Sequence, residues 1–348
     1  MIWIAFLFCF QAPADPVFAK LDPARFSIYP IRDATCATSL ARMGDEWFLT
    51  VGLPDSRPGI YQLVYRGPKA EAEKPKRKRK PLQVGQVRVR SRQRRAREPV
   101  TPPGVGFAAV PVKPLMREDL RGLQPWLDKE TMALTASRLF DGDREQWSGR
   151  ILLVNREYWF TQEVISLPES PVCLNKTFTC GLSHVIPLDA DRILIFRDQD
   201  PSAAALLVKQ DDGWAEKQRW KLVIGNRKLT ISEVRRRGDD LYLLLKRRWQ
   251  IGKLSLAAML ANEGDKQQVE PAFDFSPLKR EIASDNLHFR YTGLAEGFDW
   301  DQAGNLFVLL NTQGFPFYKI PQSNKEQGEN RLLVFTHEAD AGEAGDNP

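Results

Sequence analysis

The chain has 348 residues, of which 43% are apolar and 27% charged, with a formal net charge of +6. A chain of this length and apolar content can bury a large core, which excludes disorder throughout. Its three histidines are His184, His288 and His337, so metal sites and acid–base mechanisms that need two or three converging histidines are close to excluded.

The first residues resemble a secretory signal. Residues 2–10 are almost wholly apolar, and Val17-Phe18-Ala19 forms a small-x-small cleavage pattern before Lys20. The pattern predicts a signal peptide over residues 1–19, cleaved after Ala14 or Ala19, and a periplasmic or secreted protein. Because no Lys or Arg precedes the apolar run, a buried N-terminal strand is the alternative. The run is too short to span a bilayer as a helix, so no transmembrane segment is expected in the mature chain.

The positive charge is concentrated in one stretch. Residues 69–98 hold 13 Lys and Arg against three Glu, or +10, which leaves −4 of the total of +6 for the rest of the chain. Residues 68–103, with Lys76-Arg77-Lys78-Arg79-Lys80, are therefore predicted to be a disordered basic loop inserted into a mildly acidic domain. Such a loop could bind a polyanion. It has no aromatic residue between 69 and 98 for base stacking, so specific nucleic-acid binding is not expected.

One short pattern recurs along the chain: a turn dipeptide followed by four or five apolar residues. The five copies are residues 44–51, 149–154, 191–196, 239–245 and 304–310. A shorter candidate strand precedes each copy, at residues 39–43, 130–134, 183–188, 231–235 and 294–300. Further candidate strands follow. Short strands joined by Gly/Asp turns, at a period of about 40 to 65 residues, predict the blades of an all-β propeller.

The number of blades depends on the interval between the first two copies. That interval is about twice the usual period, and Val84 to Val89 alternates apolar and polar residues as a strand of an extra blade would. Six blades are therefore predicted, with five as the alternative, in one domain over residues 20–336. Residues 337–348 are acidic and should be a disordered tail.

Four ionisable residues lie at the starts of the predicted inner strands: Glu130, His184, Glu233 and Glu296. Inner strands of a propeller run beside one central channel, so these side chains are expected to meet at its mouth. The glutamates are candidate general acids and bases, and His184 is a candidate ligand-binding residue. The alternative is that each side chain caps a turn or bonds a neighbouring blade.

A second polar set follows the apolar strands and is expected to gather at their opposite end. Its members are Asn155, Arg156, Arg197, Arg247 and Asn311. Arg and Lys side chains there could bind phosphate or carboxylate groups of a small anionic ligand. Ordinary ion pairs between blades are the alternative.

Two further sites are suggested by spacing. Asp299 and Asp301, two residues apart, together with the nearby Glu296 could bind Ca²⁺ through hard oxygen ligands, with a polar turn as the alternative. No other cofactor is indicated. Cys173 and Cys180 flank a short segment that a disulfide could close in an oxidising compartment, the alternative being two buried thiols.

The segments 295–300 and 304–311 resemble the phytase-like, esterase-like β-propeller proteins of bacteria. Residues 231–248 look like the preceding blade of that group, and residues 128–134 look like a worn copy of an earlier one, so the resemblance covers about residues 125–336. It implies that Glu130, Glu233, Glu296 and Asn311 lie at the channel. Thr131 replaces the family's glycine and Asn311-Thr312 replaces Asp-Asn, which weakens the case for hydrolysis more than the case for the fold.

Two functions follow from these observations. The first is an exported, monomeric propeller with a ligand site at the channel mouth, which as an enzyme would hydrolyse phosphoesters or esters. The second is a non-catalytic binding or scaffold propeller, acting through its outer surface or basic loop on a protein partner or an anionic envelope polymer.

Overall fold

The computed structural model describes residues 19–20, 26–32, 37–51, 59–66, 106–114, 118–128, 130–141, 144–146, 149–167, 182–197, 203–245, 248–278, 294–311 and 330–336. Four predicted features lie outside these residues: the basic loop, the Cys173–Cys180 bridge, the ligand residue Arg247 and the acidic tail. The signal peptide also lies outside them, apart from Ala19.

The described strands form four hydrogen-bonded sheets, of five, five, six and eight strands, and twenty of these strands are arranged as five blades of four antiparallel strands each. Blade 1 contains β3 (Ala37–Met43), β4 (Glu46–Val51), β5 (Gly59–Arg66) and β6 (Gly106–Pro114). Blade 2 contains β7 (Glu118–Pro125), β8 (Thr131–Asp141), β10 (Arg150–Asn155) and β11 (Thr161–Ser166). Blade 3 contains β12 (Leu182–Pro187), β13 (Arg192–Arg197), β14 (Ala203–Gln210) and β15 (Gly213–Ile224). Blade 4 contains β17 (Ile231–Arg237), β18 (Asp240–Leu245), β19 (Gln250–Ser255) and β21 (Glu270–Asp274). Blade 5 contains β22 (Leu294–Trp300), β23 (Leu306–Asn311), β24 (Asn330–Phe335) and β2 (Phe26–Arg32).

The blades are arranged in a closed ring. Their innermost strands, β3, β7, β12, β17 and β22, each contact the next, and β22 returns to β3. Five apolar clusters lie between neighbouring blades. The described part of the chain is therefore all-β, with the arrangement of a propeller.

The second strand of each blade, counted from the axis, is covered on both faces. In β13, for example, five of the six residues are buried. A strand packed between two other sheets cannot alternate apolar with polar residues, which explains the continuous apolar runs in the sequence. The predicted strands at 191–196, 239–245 and 304–310 correspond to β13, β18 and β23.

The ring is closed by the N-terminal part of the chain. Strand β2 pairs antiparallel with β24 and so becomes the outer strand of blade 5. It also pairs in parallel with β6, the outer strand of blade 1. These contacts join blades 1 and 5 across the point where the first and last blades meet.

Shorter elements lie at the outside of the blades. They are β1 (Ala19–Lys20), β9 (Arg144–Gln146), β16 (Arg227–Lys228), α1 (Leu256–Ala261) and β20 (Lys266–Gln268). Strand β1 pairs with β21, while β16 and β20 pair with β15. The described helices include none long and apolar enough to cross a membrane.

The expected count of six blades is not confirmed, since the described strands are arranged as five four-stranded blades. The reason lies in blade 2. The copy at 149–154 is β10, the third strand of its blade, and the inner strand is β7. The prediction that residues 130–134 form the inner strand is therefore wrong, because they begin β8. The interval between the first two copies of the pattern therefore runs from the second strand of blade 1 to the third strand of blade 2, and it also contains the long insertion. Both features lengthen the interval, which is why it suggested an extra blade.

Candidate functional site

All five inner strands are interrupted near the same level. The register against the second strand shifts at 37/39, 121/124, 182/184, 231/233 and 295/297. Such a β-bulge places an extra residue on one strand and re-aims the side chains that follow it. The residues directly after the bulges are Ser39, Gln124, His184, Glu233 and Gly297. The bulges therefore give each blade an equivalent position beside the axis.

Four of these five positions carry polar side chains, and they contact one another. Ser39 donates a hydrogen bond to Glu233 Oε2 at 2.6 Å, and its own Oγ accepts one from the Leu123 backbone N–H at 3.0 Å. His184 Nε2 lies 3.1 Å from Gln124 Oε1. All four side chains are buried. Blades 1 to 4 thus meet in one polar cluster, here called the axial cluster: Ser39, Gln124, His184, Glu233 and Arg235.

Glu233 and His184 form the centre of the axial cluster. His184 Nδ1 is 2.9 Å from Glu233 Oε1, and both side chains have zero exposure to solvent. Neither atom makes a hydrogen bond of standard geometry among the described residues. The Nε2 atom of Gln124 also lacks a hydrogen-bond partner there.

Arg235, two residues beyond Glu233 on the same strand, ties the axial cluster to other blades. Its Nη1 lies 2.8 Å from Glu233 Oε1, and its Nε donates to the Phe298 carbonyl at 3.1 Å. Its Nη2 donates to the Leu40 carbonyl. The same guanidinium is 3.4 Å from Asp299 Oδ2. One side chain therefore spans from blade 4 to blades 1 and 5.

Two glycines permit the close approach of neighbouring inner strands. Gly122 has φ +52°, and a Cβ there would collide with the Ser183 carbonyl and lie 2.7 Å from Thr135 Oγ1. At Gly297, a Cβ would lie 2.5 Å from the Leu40 backbone nitrogen. Gly297 is also the axial position without a side chain, and the Arg235 guanidinium bonds to the carbonyl of the next residue, Phe298.

Burial perturbs the ionisable groups of the axial cluster. It raises the pKa of Glu233 to about 8, despite the opposing effects of Arg235 and of the hydrogen bond from Ser39. Burial and the positive charge of Arg235 hold the pKa of His184 well below 6.5. The pKa of Asp299 is raised, again chiefly by burial. At neutral pH, both Glu233 and His184 are therefore largely uncharged.

These shifts predict a pH dependence of stability. The pKa of Glu233 rises from 4.5 to about 8 on folding, so its contribution is complete below pH 4.5 and is lost as the pH rises to about 8. The pKa of His184 falls below 6.5, so its opposing contribution ends near pH 6.5. Between pH 6.5 and 8 the free energy of unfolding should therefore fall by roughly 1 kcal/mol per pH unit.

Urea unfolding at a series of pH values tests this expectation. The Glu233→Gln variant, isosteric with the protonated acid, should lose most of the slope between pH 6.5 and 8. Glu163→Gln, at an exposed position of β11, should keep it. An unchanged slope in Glu233→Gln would show that Glu233 does not take up a proton on folding.

The other predicted catalytic residues do not join this centre. Glu296 is buried in β22, but it occupies the bulge itself, the position equivalent to Ser183 and Ser232 rather than to Glu233. Glu130 is exposed in the turn before β8. The three glutamates are therefore not gathered at one place: Glu233 and Glu296 are buried at successive positions of their inner strands, and Glu130 lies in an exposed turn.

The predicted calcium ligands are engaged elsewhere. Asp299 accepts hydrogen bonds from the backbone N–H groups of Arg42 and Trp300 at 2.9 and 2.8 Å. Asp301 accepts two from Asn305, at 2.8 and 2.6 Å, and closes the turn before β23. The structure does not bring Glu296, Asp299 and Asp301 together, and it gathers no group of three potential ligands among the His, Cys, Asp and Glu side chains that it describes.

The second predicted set is divided between the two ends of the ring. Arg197 and Asn311 pair with Leu182 and Leu294, the first residues of inner strands, so antiparallel pairing places them at the end where inner strands begin. Asn155 pairs with Thr131, at the other end, and its side chain accepts a hydrogen bond from the Tyr158 N–H at 2.9 Å. The expectation of one cluster opposite the inner-strand starts is therefore wrong.

The arginines of this set have different surroundings. Arg156 forms an ion pair with Glu46 of blade 1, as the alternative interpretation expected. Arg197 is buried, and its pKa is lowered chiefly by that burial and then by the charge of Arg219. Its Nε has no hydrogen-bond partner within the described residues. Among the described side chains of this set, Arg197 therefore has a buried donor atom with no hydrogen-bond partner.

Sequence reasoning missed three residues of the axial cluster: Ser39, Gln124 and Arg235. A signal was present for Ser39, because four of the five inner strands share the order apolar, bulge residue, axial residue, apolar, as in Ala37-Thr38-Ser39-Leu40 and Ile231-Ser232-Glu233-Val234. Aligning the strands by this order, rather than by their glutamates, places Gly297 and not Glu296 beside Glu233.

Comparisons with known proteins concern the fold. The chain matches no protein-family profile and no curated protein sequence. Among solved structures, glutaminyl cyclase of Myxococcus xanthus is similar to it with a TM-score of 0.50 and 11% identity, covering 93% of this chain and 100% of that one. A luciferin-regenerating enzyme gives a TM-score of 0.40, 8% identity and coverage of 90% and 96%. A putative glucose dehydrogenase from Thermus thermophilus gives 0.39, 10% identity and coverage of 89% and 99%.

The similarity to the cyclase supports a β-propeller fold. At 11% identity, the similarity to the cyclase bears on the fold alone. Function must therefore be argued from the residues of this chain.

Proposed function

We propose that this chain is a non-catalytic binding propeller that holds a protein partner on the outer surface of blade 2. The observation that carries the proposal is the distribution of exposed apolar side chains. Four of the seven large ones within the described residues lie in blade 2: Leu127, Tyr158, Phe160 and Val164. Clustered exposed apolar groups are typical of protein-binding surfaces.

These four side chains belong to neighbouring segments. Tyr158 and Phe160 stack with ring centroids 6.5 Å apart in the turn between β10 and β11, and Tyr158 is 70% exposed. The turn carrying Leu127 lies beside them, since the Arg156 N–H donates to the Glu130 carbonyl at 2.7 Å. Val164 follows on β11. We call these four side chains the blade 2 patch.

The geometry of the axial cluster favours binding over catalysis. A general acid or base must come within hydrogen-bond reach of its substrate. Glu233 and His184 have zero side-chain exposure, and their neighbours satisfy or neutralise most of their polar atoms. A buried network with shifted pKa values is also what a purely structural ion-pair cluster produces. The axial cluster is therefore assigned the role of joining the blades.

A second function has an observation in its favour. Arg197 is buried at the end of the ring where the inner strands begin, and its Nε lacks a partner among the described residues. Arg197 pairs with Leu182, two residues before His184, and His184 contacts Glu233, whose pKa is raised. A small phosphorylated or carboxylated compound bound by Arg197, and hydrolysed with Glu233 as acid, is the alternative function. Export remains a prediction under both.

Selection of peptides tests the proposed function. We expect the purified protein to select binding peptides from a random display library, and the Tyr158→Ser/Phe160→Ser double variant to bind them at least about tenfold more weakly, because aromatic side chains dominate protein interfaces. Anisotropy titrations of labelled peptides measure the affinities. Tyr65→Ser, which removes an exposed aromatic ring from blade 1, is the matched control and should bind normally. Equal affinity in the double variant would overturn the proposal.

A further inference from the structure

Blade 2 is the blade whose outer strand has an open edge in the described part of the chain. Strand β11 pairs with β10 alone. The outer strands of the other blades are all paired on their outer side: β21 with β1, β15 with β16 and β20, and β6 with β2. An open edge is a row of backbone donors and acceptors on which another strand can form.

The register shows which groups of β11 face outward. The Leu167 N–H donates to the Gly149 carbonyl at 3.1 Å, which makes this a hydrogen-bonded pair. The register then places Arg150 opposite Ser166 and Leu152 opposite Val164. Since hydrogen-bonded and non-hydrogen-bonded pairs alternate, the backbone N–H and C=O groups of Val164 and Ser166 point away from β10.

The side chains beside this edge define the chemistry of its occupant. Val164 is 46% exposed, and Tyr158 and Phe160 lie at the start of the same strand. Glu157 and Glu163 are exposed among them, while the neighbouring Arg156 is held by Glu46. Exposed apolar side chains interspersed with negative charge suit a strand in which apolar residues alternate with Lys or Arg.

We infer that β11 binds an extended peptide segment of a partner protein by strand addition, with apolar and basic residues alternating in the peptide. The inference rests on the proposed function, and it names the backbone edge as the recognition element beside the blade 2 patch. Main-chain hydrogen bonds supply affinity in such complexes, and alternate side chains supply specificity.

A proline substitution separates the edge from the patch. Ser166→Pro removes an outward N–H that β10 does not use, a position where an edge strand tolerates proline, and it leaves every side chain of the patch in place. The probe is a short synthetic peptide in which valine alternates with lysine. Ser166→Pro should weaken its binding at least about tenfold, while Ser166→Ala should bind as the unsubstituted protein does. A peptide with glutamate in place of lysine should bind poorly to all three.

Two further measurements do not depend on how well Ser166→Pro folds. In the unsubstituted protein, the amides of Val164 and Ser166 should exchange rapidly and become protected when the peptide is added. Methylation of the peptide's backbone nitrogens should weaken binding at alternate positions only, those that face β11.

Other results would overturn the inference. Protection of both amides in the free protein would show that the edge is already covered by this chain. Dimerisation that Ser166→Pro abolishes would identify a second copy as the occupant. Undiminished binding by Ser166→Pro, with loss in Tyr158→Ser/Phe160→Ser, would overturn strand addition and leave the proposed function standing. Undiminished binding in both would overturn the two together.

Discussion

Replacing Arg235 by methionine is expected to lower the free energy of unfolding by about 2–6 kcal/mol, because it leaves two buried backbone carbonyl groups without their donor. The guanidinium donates to the carbonyls of Leu40 and Phe298 and contacts both Glu233 and Asp299. Methionine fills a similar volume but provides no donor. Urea denaturation at pH 7 measures the difference.

The control for this prediction is the next residue on the same strand. Arg236 is exposed, and its Nε donates to the Gly238 carbonyl at 3.1 Å within its own turn. Arg236→Met makes the same chemical change away from the axis and should alter stability little. Equal effects of the two substitutions would mean that the axial cluster does not join the blades.

Replacing Gly122 by alanine should be the other strongly destabilising change, at about 2–5 kcal/mol, the sum of left-handed backbone strain and overpacking. The new Cβ would collide with the Ser183 carbonyl of blade 3, which is backbone and cannot rotate away. Thermal and urea unfolding measure the loss.

Gly44 offers a matched comparison for that substitution. Its φ of +61° is close to the +52° of Gly122, but a Cβ there would meet nothing within 4 Å. Gly44→Ala should therefore cost only about 1–2 kcal/mol, for the backbone conformation alone. If both substitutions lower the free energy of unfolding by the same amount, β7 lies farther from β12 in the protein than it does in this structure.

Much of the fold could be predicted from the sequence because one physical constraint recurs. A strand covered on both faces must be apolar throughout, so β4, β13, β18 and β23 appear as apolar runs after Gly/Asp turns. The prediction for β22 matched its bounds. Blade 2 was assigned wrongly by one strand, since β7 carries charged and glycine residues where other inner strands are more apolar, and no local pattern marks it as innermost.

The candidate site could be predicted only in part. His184 and Glu233 were recognised from their equivalent places on inner strands. Arg235 was not, because its role depends on the carbonyls of Leu40 and Phe298, which are distant in sequence and are brought close only by closure of the ring. The open edge of β11 is recognised only by comparison with the other blades, whose outer strands are paired on their outer side. Such pairings, for example β2 with β6, join segments distant in sequence and cannot be predicted from one sequence.

The most direct measurement compares peptide affinity and ester turnover in three proteins at pH 7: unsubstituted, Glu233→Gln, and Tyr158→Ser/Phe160→Ser. Peptides selected on the unsubstituted protein should bind Glu233→Gln equally well and lose at least about tenfold in affinity for the double variant. Phosphoester or carboxylic ester turnover by the unsubstituted protein that Glu233→Gln abolishes, with peptide affinity unchanged in the double variant, would contradict a binding propeller and place the function at the axis.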